Sequence, residues 1–359
     1  MLDTDNEQLK AALNKLDLSK FRPSFRESFF YVLLDILLLS LTLIAVYSVT
    51  TSGYYFISLL LSLFAGNLFF SLFVLGHDCG HGSFSKHKTV NNVVGFCLHQ
   101  FILTPYWAWK KSHHRHHMFT GDIERDESFV PITQDNAESV LGVEKGNKKS
   151  FFVVRLFNLI TLITGISFHV YTVYNPFTKC SHFLPNKVFL KESDNKWIYL
   201  GTAVAVLSLS VLVYLTFKQP IMMFFMYWLP FMVCYHILIF VTLMQHHHPD
   251  DSKWYYSQDW TRLKGALNTF DYRYGALNII VSKLHHNIAN FHVIHHIFAS
   301  IPHYKIEAAT KDLVGKIDAN YEPKQFSYSN YIRIIWSCNY VDNHSSEQKH
   351  YPMKSFEEL

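Results

Sequence analysis

The sequence predicts an all-α integral membrane protein with four transmembrane helices in two hairpins, further interfacial helices, and a histidine-rich, metal-binding cap on the cytoplasmic side. Of its 359 residues, 49% are apolar and 17% are charged, and the apolar residues form long runs that are typical of membrane proteins. Most of the 22 histidines lie in short clusters. The net charge of +4 is too small to indicate nucleic-acid binding. The five cysteines lack paired spacing, which argues against a disulfide framework or a cysteine-ligated zinc ion.

Four apolar segments reach the length of roughly 20 residues that a helix needs to cross a bilayer. A short turn around Gly53 joins the first segment to the second, and Lys218 with Gln219 joins the third to the fourth. Because both connections are short, we expect two helical hairpins. The predicted spans cover residues 29–49, 54–76, 198–217 and 220–245.

Two other apolar stretches, residues 92–109 and 151–171, are interrupted by polar residues, and we predict that they lie at the membrane interface. Basic residues are concentrated before the first span and between the second and third spans, whereas the hairpin tips offer only Lys218. The positive-inside rule therefore places both termini and the central loop in the cytoplasm. The predicted divisions are a cytoplasmic segment 1–28, a membrane domain 29–321 and a cytoplasmic tail 322–359.

Three histidine clusters have a spacing that suits metal binding. Residues i, i+3 and i+4 share one face of a helix, and the clusters use these spacings. Together they present eight imidazoles, while His114 falls outside the face that its neighbours define. The clusters are His77 with His81, then His113, His116 and His117, then His292, His295 and His296.

The predicted topology favours one composite site. An even number of spans separates the second cluster from the third, so all three reach the same membrane face. One zinc ion takes four ligands at most in such sites, so eight histidines suit two ions, although imidazole binds iron, zinc, copper and nickel alike. Isolated histidines, including His99, His182 and His303, are interpreted as surface or packing residues. For His236, inside the fourth span, we favour a neutral, hydrogen-bonded side chain over a role as a metal ligand.

The clusters and their flanking residues resemble the three histidine boxes of membrane fatty acid desaturases. More narrowly, they are similar to the methyl-end group, the Δ12 (omega-6) and omega-3 desaturases. The similarity runs from about Phe21 to Tyr321. It is carried by HDCGHGSFS from His77, PYWAWKKSHHRHH from Pro105, TGDIERDESFVP from Thr120 and HVIHHIFASIPHYKIEAAT from His292.

The resemblance implies that the eight clustered histidines bind two non-haem irons, which makes the predicted cap a di-iron cap. It also suggests a ninth ligand near the end of the fourth span, for which we choose His246. No further catalytic residue is predicted. Side chains that would orient the ligand rings by hydrogen bonding are Asp78, Glu124, Asp126 and Asp259.

The resemblance further implies that O2 is a co-substrate and that electrons come from a separate protein, cytochrome b5 or ferredoxin. A fused cytochrome b5 domain is not expected, because its HPGG haem signature is missing. The expected reaction places a cis double bond toward the methyl end of an unsaturated C18-type chain in an acyl lipid, with Δ12 slightly favoured over omega-3. The expected membrane is the endoplasmic reticulum in a eukaryote or the inner membrane in a bacterium.

Several alternatives stay open at this point. Hydroxylases, acetylenases and conjugases share these boxes and differ in their products. A membrane metal-binding or transport protein would line its path with ionisable residues inside the spans, where polar exceptions are limited to Asp35, Asn67 and His236. A bis-histidine haem protein needs only paired histidines on facing helices.

Overall fold

The structure, a computed structural model, consists mainly of helices. Within the described residues, four helices are long and apolar enough to cross a membrane, which confirms the predicted fold class. The described residues are 17–128, 132–133, 156, 159–160, 162–175, 178–317, 321–338, 340–341, 347–348 and 350–351.

The first hairpin consists of α1 (Phe25–Thr51) and α2 (Tyr55–His81). Helix α1 extends beyond the predicted span at both ends, whereas α2 begins one residue after its predicted start and extends beyond its predicted end. Ser24 caps α1 by accepting a hydrogen bond from a backbone amide of the first turn at 3.4 Å. Helix α2 ends at Gly82, whose φ of 75° lies in the left-handed region that glycine adopts without a steric cost. The second half of α2 is almost entirely buried, so this helix forms the centre of the core.

Shorter helices follow the first hairpin. Helix α3 (Lys88–Phe101) and helix α4 (Tyr106–Phe119) are separated by a turn that ends at Pro105, so residues 92–109 form no span. Helix α5 (Ile166–Val173) covers the end of the second predicted interfacial stretch. The earlier part of that stretch lies largely outside the described residues.

The second hairpin consists of α6 (Asn195–Lys218) and α7 (Pro220–His246). Proline suits the first position of α7, because that position needs no amide donor. Helix α7 packs closely against α2 at Gly66, where an added Cβ would lie 2.4 Å from Val233 Cβ. Helix α6 leaves most of its apolar side chains exposed, as expected for a surface that faces lipid.

The remaining elements are short and surround the ends of α2 and α7. The buried side chains of Val241 and Met244 in α7 pack with those of Tyr331 and Ile334, so part of the chain beyond residue 321 belongs to a core. The predicted division at residues 28 and 321 stays a prediction. The helices are α8 (Arg262–Leu267), α9 (Asn278–Leu284), α10 (Val293–Ile297), α11 (His303–Ile317) and α12 (Tyr328–Ser337).

Two-residue strands complete the described fold. The parallel pair β1–β5 and the antiparallel pair β5–β7 make one sheet, while β2–β6 is antiparallel and β3–β4 is parallel. The strands are β1 (Ile132–Thr133), β2 (Trp254–Tyr255), β3 (Tyr272–Arg273), β4 (Lys324–Gln325), β5 (Tyr340–Val341), β6 (Glu347–Gln348) and β7 (His350–Tyr351).

Candidate metal centre

All nine histidines of the predicted ligand set lie together where α2 and α7 end. The first cluster occupies the last turn of α2, the second lies on α4, and the third lies at α10. His246 is the last residue of α7. The ends of two spanning helices therefore meet at one site, as the predicted topology requires.

Ring nitrogens of these histidines form two groups that could each hold a metal ion, and within each group the candidate donor atoms all lie within 4.8 Å of one another. The helical spacing places His113 and His117 one turn apart on α4, whereas His116 faces the other group. Group A is His77, His81, His113, His117 and His295, and group B is His116, His246 and His296.

His292 adjoins group B. Its Nε2 lies 2.9 Å from Nε2 of His246 and 3.0 Å from Nε2 of His296. The two groups are in direct contact, because the rings of His117 and His296 stack with their centroids 4.0 Å apart. The nine imidazoles thus make one composite centre with two halves.

Burial favours the neutral form of several imidazoles of the centre. Loss of solvation, followed by repulsion from neighbouring imidazoles, holds the pKa values of His113, His117 and His295 well below the usual value of histidine. A neutral imidazole retains the lone pair that a metal ion needs.

The donor set suits metal ions better than it suits a hydrogen-bonded core. Within the part of the chain that the structure describes, the buried Nε2 atoms of His81 and His295 have no hydrogen-bond partner. Unpaired buried nitrogens cost free energy, and a metal ion in each group would satisfy them. Imidazole without thiolate suits iron, copper, nickel or zinc, so the residues fit a histidine-bound metal cofactor.

Two acidic side chains of the predicted orienting set contact the centre. Both carboxylate oxygens of Asp126 lie 3.0 Å from Nδ1 of His116, and both residues are buried. Asp78 faces the ring of His77, with 3.8 Å between its Oδ1 and Nδ1 of the histidine. The hydrogen bond to Asp126 fixes the orientation and the tautomer of the His116 ring, whereas Asp78 approaches His77 as a charged neighbour beyond hydrogen-bond distance.

The other two acidic candidates lie elsewhere. Glu124 is exposed, and its carboxylate accepts a hydrogen bond from the backbone amide of Ser257 at 3.0 Å. The backbone carbonyl of Asp259 accepts a hydrogen bond from Lys264 at 2.7 Å. Among the described residues, neither acidic side chain bonds a histidine of the centre.

Several contacts of the centre were not predicted. Asp271 Oδ1 accepts hydrogen bonds from the backbone amides of His292 and Val293 at 2.5 and 2.8 Å, which fixes the start of α10. Burial raises the pKa of the Asp271 carboxyl to about 6, although these amides favour its charged form. The Thr120 hydroxyl lies 3.1 Å from Nδ1 of His296. Nothing in the local sequence around Asp271 marks this role.

Trp109 ends the predicted interfacial stretch 92–109 and lies beside the centre. Its side chain is buried, and its ring stacks on His113 with the centroids 4.6 Å apart. Phe73 of α2 packs edge-on against the same ring at 5.5 Å. These aromatic rings form an apolar wall beside group A.

The isolated histidines outside the centre differ in their contacts. His99 and His182 are buried packing residues, and burial lowers the pKa of each to about 3. His236 stays outside both groups. His303 is buried as well, but it forms hydrogen bonds with Asp78.

Comparison with known proteins agrees with this site. Residues 53–328 match the fatty acid desaturase family. The sn-1 acyl-lipid omega-3 desaturase (ferredoxin) of Synechocystis sp. is 33% identical over 345 residues, which cover 94% of this chain and 89% of the relative. The acyl-lipid omega-3 desaturase (cytochrome b5) of the Arabidopsis thaliana endoplasmic reticulum is 37% identical over 263 residues, or 72% and 64% of the two chains. The chain therefore belongs to the fatty acid desaturase family and is a membrane oxidoreductase.

Proposed function

We propose that this desaturase is an O2-dependent acyl-lipid enzyme that acts toward the methyl end of an unsaturated chain through a di-iron centre. The observation that carries the proposal is the meeting of nine histidines, those of groups A and B and the adjoining His292, at the ends of α2 and α7. The residues that would hold the irons are those of groups A and B together with His292. Asp78 and Asp126 orient ligand rings of the two groups.

The reaction explains why a metal pair is needed. A methylene group inside an acyl chain has no acidic proton, so acid–base chemistry does not break its C–H bonds. Bound irons supply the oxidising chemistry of O2, which is beyond amino-acid side chains. One turnover removes two hydrogen atoms from adjacent carbons, takes two electrons and two protons from outside, and reduces O2 to two waters.

The residues of the chain position the reactants and exclude solvent. Trp109 and Phe73 present an apolar surface beside group A, against which an acyl methylene can lie close to the metal. Most rings of the centre are buried, which would keep bulk water from the bound irons. Exclusion of water favours removal of hydrogen from the substrate over uncoupled consumption of O2.

The names of the relatives support an external electron donor and an acyl-lipid substrate. The Synechocystis protein is named for ferredoxin and one Arabidopsis protein for cytochrome b5, and we infer that this chain uses a separate donor of one of these two kinds. Both relatives are named omega-3 desaturases. We therefore favour omega-3 regiochemistry, whereas the slight preference for Δ12 drawn from the sequence has no support among these names.

The topology completes the proposal. Basic residues before α1 and between α2 and α6 favour a cytoplasmic location for both termini and for the centre. An electron donor would then reach the centre from the cytoplasm. Fusing a reporter to either terminus tests this location, and reporter activity on the opposite membrane face would contradict it.

The test is the fatty-acid profile of a host that makes oleate and linoleate and expresses the chain with iron supplied. An omega-3 enzyme yields a triene from linoleate, and a Δ12 enzyme yields a diene from oleate. A hydroxylated product would favour the alternative that shares these boxes, since its mass rises by one oxygen. Absence of any new product, with the protein present in the membrane, would contradict the proposed activity.

A transport function predicts different behaviour. A transporter lines its path with ionisable groups along the spans, whereas the histidines of this centre lie at the ends of two spans. Metal uptake without O2 consumption by purified protein in vesicles would favour transport. A Soret absorption band would favour a haem protein.

A further inference from the structure

A second buried cluster of ionisable side chains lies against group A. It contains Asp35 in α1, Asp78 in α2, His286 after α9 and His303 at the start of α11, and each residue is at most 4% exposed. We call these four residues the Asp–His network. Neither of its histidines was predicted to act at the centre.

Hydrogen bonds join the residues of the network in two pairs, and a contact between the two histidine rings connects the pairs. Nε2 of His286 donates to Oδ2 of Asp35 at 2.6 Å. The rings of His286 and His303 lie 4.4 Å apart between centroids. His303 then donates twice to Oδ2 of Asp78, from Nδ1 at 2.9 Å and from its backbone amide at 3.1 Å.

The two bonds from His303 fix the orientation of the Asp78 carboxylate. With Oδ2 held on one side, Oδ1 faces Nδ1 of His77 at 3.8 Å. A carboxylate beside Nδ1 favours the tautomer with the proton on that nitrogen and leaves Nε2 available for a metal ion. Asp126 lies closer to its histidine, within hydrogen-bond distance of Nδ1 of His116, so each group has one buried carboxylate beside it.

The surroundings hold the network rigidly. The ring of Tyr31 packs edge-on against His286 at 5.5 Å and against His303 at 4.7 Å. His286 has a φ of 48°, a left-handed conformation that non-glycine residues rarely adopt. Its neighbour Asn287 donates to the backbone carbonyl of His303 at 3.1 Å. Strained backbone of this kind persists where surrounding contacts over-determine it.

Stability alone is a poor explanation for the network. Buried charged or polar groups carry a desolvation cost, and well-packed apolar side chains often stabilise a core equally well or better. The network joins α1, α11 and the turn after α9 to α2, the helix that carries His77. Orientation of the His77 ring would explain why these polar side chains are buried together.

We propose that the Asp–His network positions His77 and thereby determines metal retention in group A, with His303 acting through Asp78 as a positioning residue. The inference rests on the proposed metal centre. It predicts that variants of the network lose metal from group A only, because the carboxylate in contact with group B is that of Asp126.

The experiment compares variants of His303 in the purified full chain loaded with ferrous ⁵⁷Fe. In His303→Asn, the amide nitrogen lies near the place of Nδ1, so the bond to Asp78 is retained. In His303→Gln the side-chain amide lies one carbon further out, and His303→Leu has no side-chain donor. The bond from the backbone amide of residue 303 to Asp78 remains in all three variants, so they differ only in the side-chain bond. Metal per chain and the Mössbauer spectrum are measured after equilibration with a ferrous chelator. His182→Leu removes a buried histidine that bonds Ser112 instead of a carboxylate and serves as the control.

We expect His303→Leu and His303→Gln to bind iron in group A about 10- to 100-fold more weakly, with loss of one spectral component. His303→Asn and His182→Leu should keep both components. Equal retention in all four variants would overturn the inference, and so would equal loss in His303→Asn and His303→Gln. If His303→Leu does not fold, the Asn and Gln pair decides. A wild-type chain that binds no iron would instead contradict the proposed function.

Discussion

Replacing Asp126 tests how strongly a buried carboxylate stabilises the metal centre. Its two oxygens lie 3.0 Å from Nδ1 of His116, and the side chains of both residues are at most 1% exposed. A hydrogen bond to a charged group of this kind contributes about 1.5–3 kcal/mol, and about 1.4 kcal/mol corresponds to a tenfold change in affinity. We therefore expect about tenfold weaker iron binding in Asp126→Asn, which keeps an acceptor but loses the charge. Asp126→Leu removes the acceptor as well and should bind iron about 100-fold more weakly.

The assay is a competition titration of purified protein between ferrous iron and a chelator, together with product formation in cells. Glu124→Gln is the matched control, because Glu124 is exposed and bonds Ser257 instead of a ligand. Its iron affinity should equal that of the wild-type chain. Wild-type iron affinity in Asp126→Leu would show that the reasoning about ring orientation is wrong.

Three further predictions concern stability and the ninth histidine. Burial raises the pKa of Glu127 to about 8, from 4.5 when unfolded, so its contribution to stability is full below about pH 4.5 and is lost as the pH rises through 8. The melting temperature of Glu127→Gln should therefore rise relative to that of the wild-type chain as the pH increases, whereas that of Glu307→Gln, at an exposed site, should not. The same pH dependence of the melting temperature in Glu127→Gln and in the wild-type chain would contradict this. Gly66→Val should lower the free energy of unfolding by about 1–3 kcal/mol, because α7 fills the space of the new side chain, and an unchanged melting temperature would refute the close packing. His246→Ala should abolish product while His248→Ala, outside both groups, retains it, and the reverse result would remove His246 from the ligand set.

The spans and the histidine clusters could be predicted because both depend on local spacing. The length of an apolar run sets where a helix can cross the membrane, and the four spanning helices contain the predicted segments except for Tyr54. The i, i+3 and i+4 spacing predicts which rings share a helix face. Neither property specifies which ring joins which metal, so the separation of His116 from His113 and His117 was not predicted.

The remaining contacts of the centre depend on tertiary packing. Asp35 and His286 are 251 residues apart in the sequence, and no local pattern connects them. Asp126 and Glu124 are near neighbours with the same chemistry, yet one is buried against His116 and the other is exposed. Proximity to a histidine cluster in the sequence is therefore a weak guide to which carboxylates orient its rings.

The number and identity of the metal ions in the purified chain test the central claim most directly. Elemental analysis and X-ray absorption of protein produced with iron would report both. The proposed centre predicts about two irons per chain with nitrogen ligands and without sulfur. A single iron, a zinc content equal to the protein content, or a haem spectrum would contradict it.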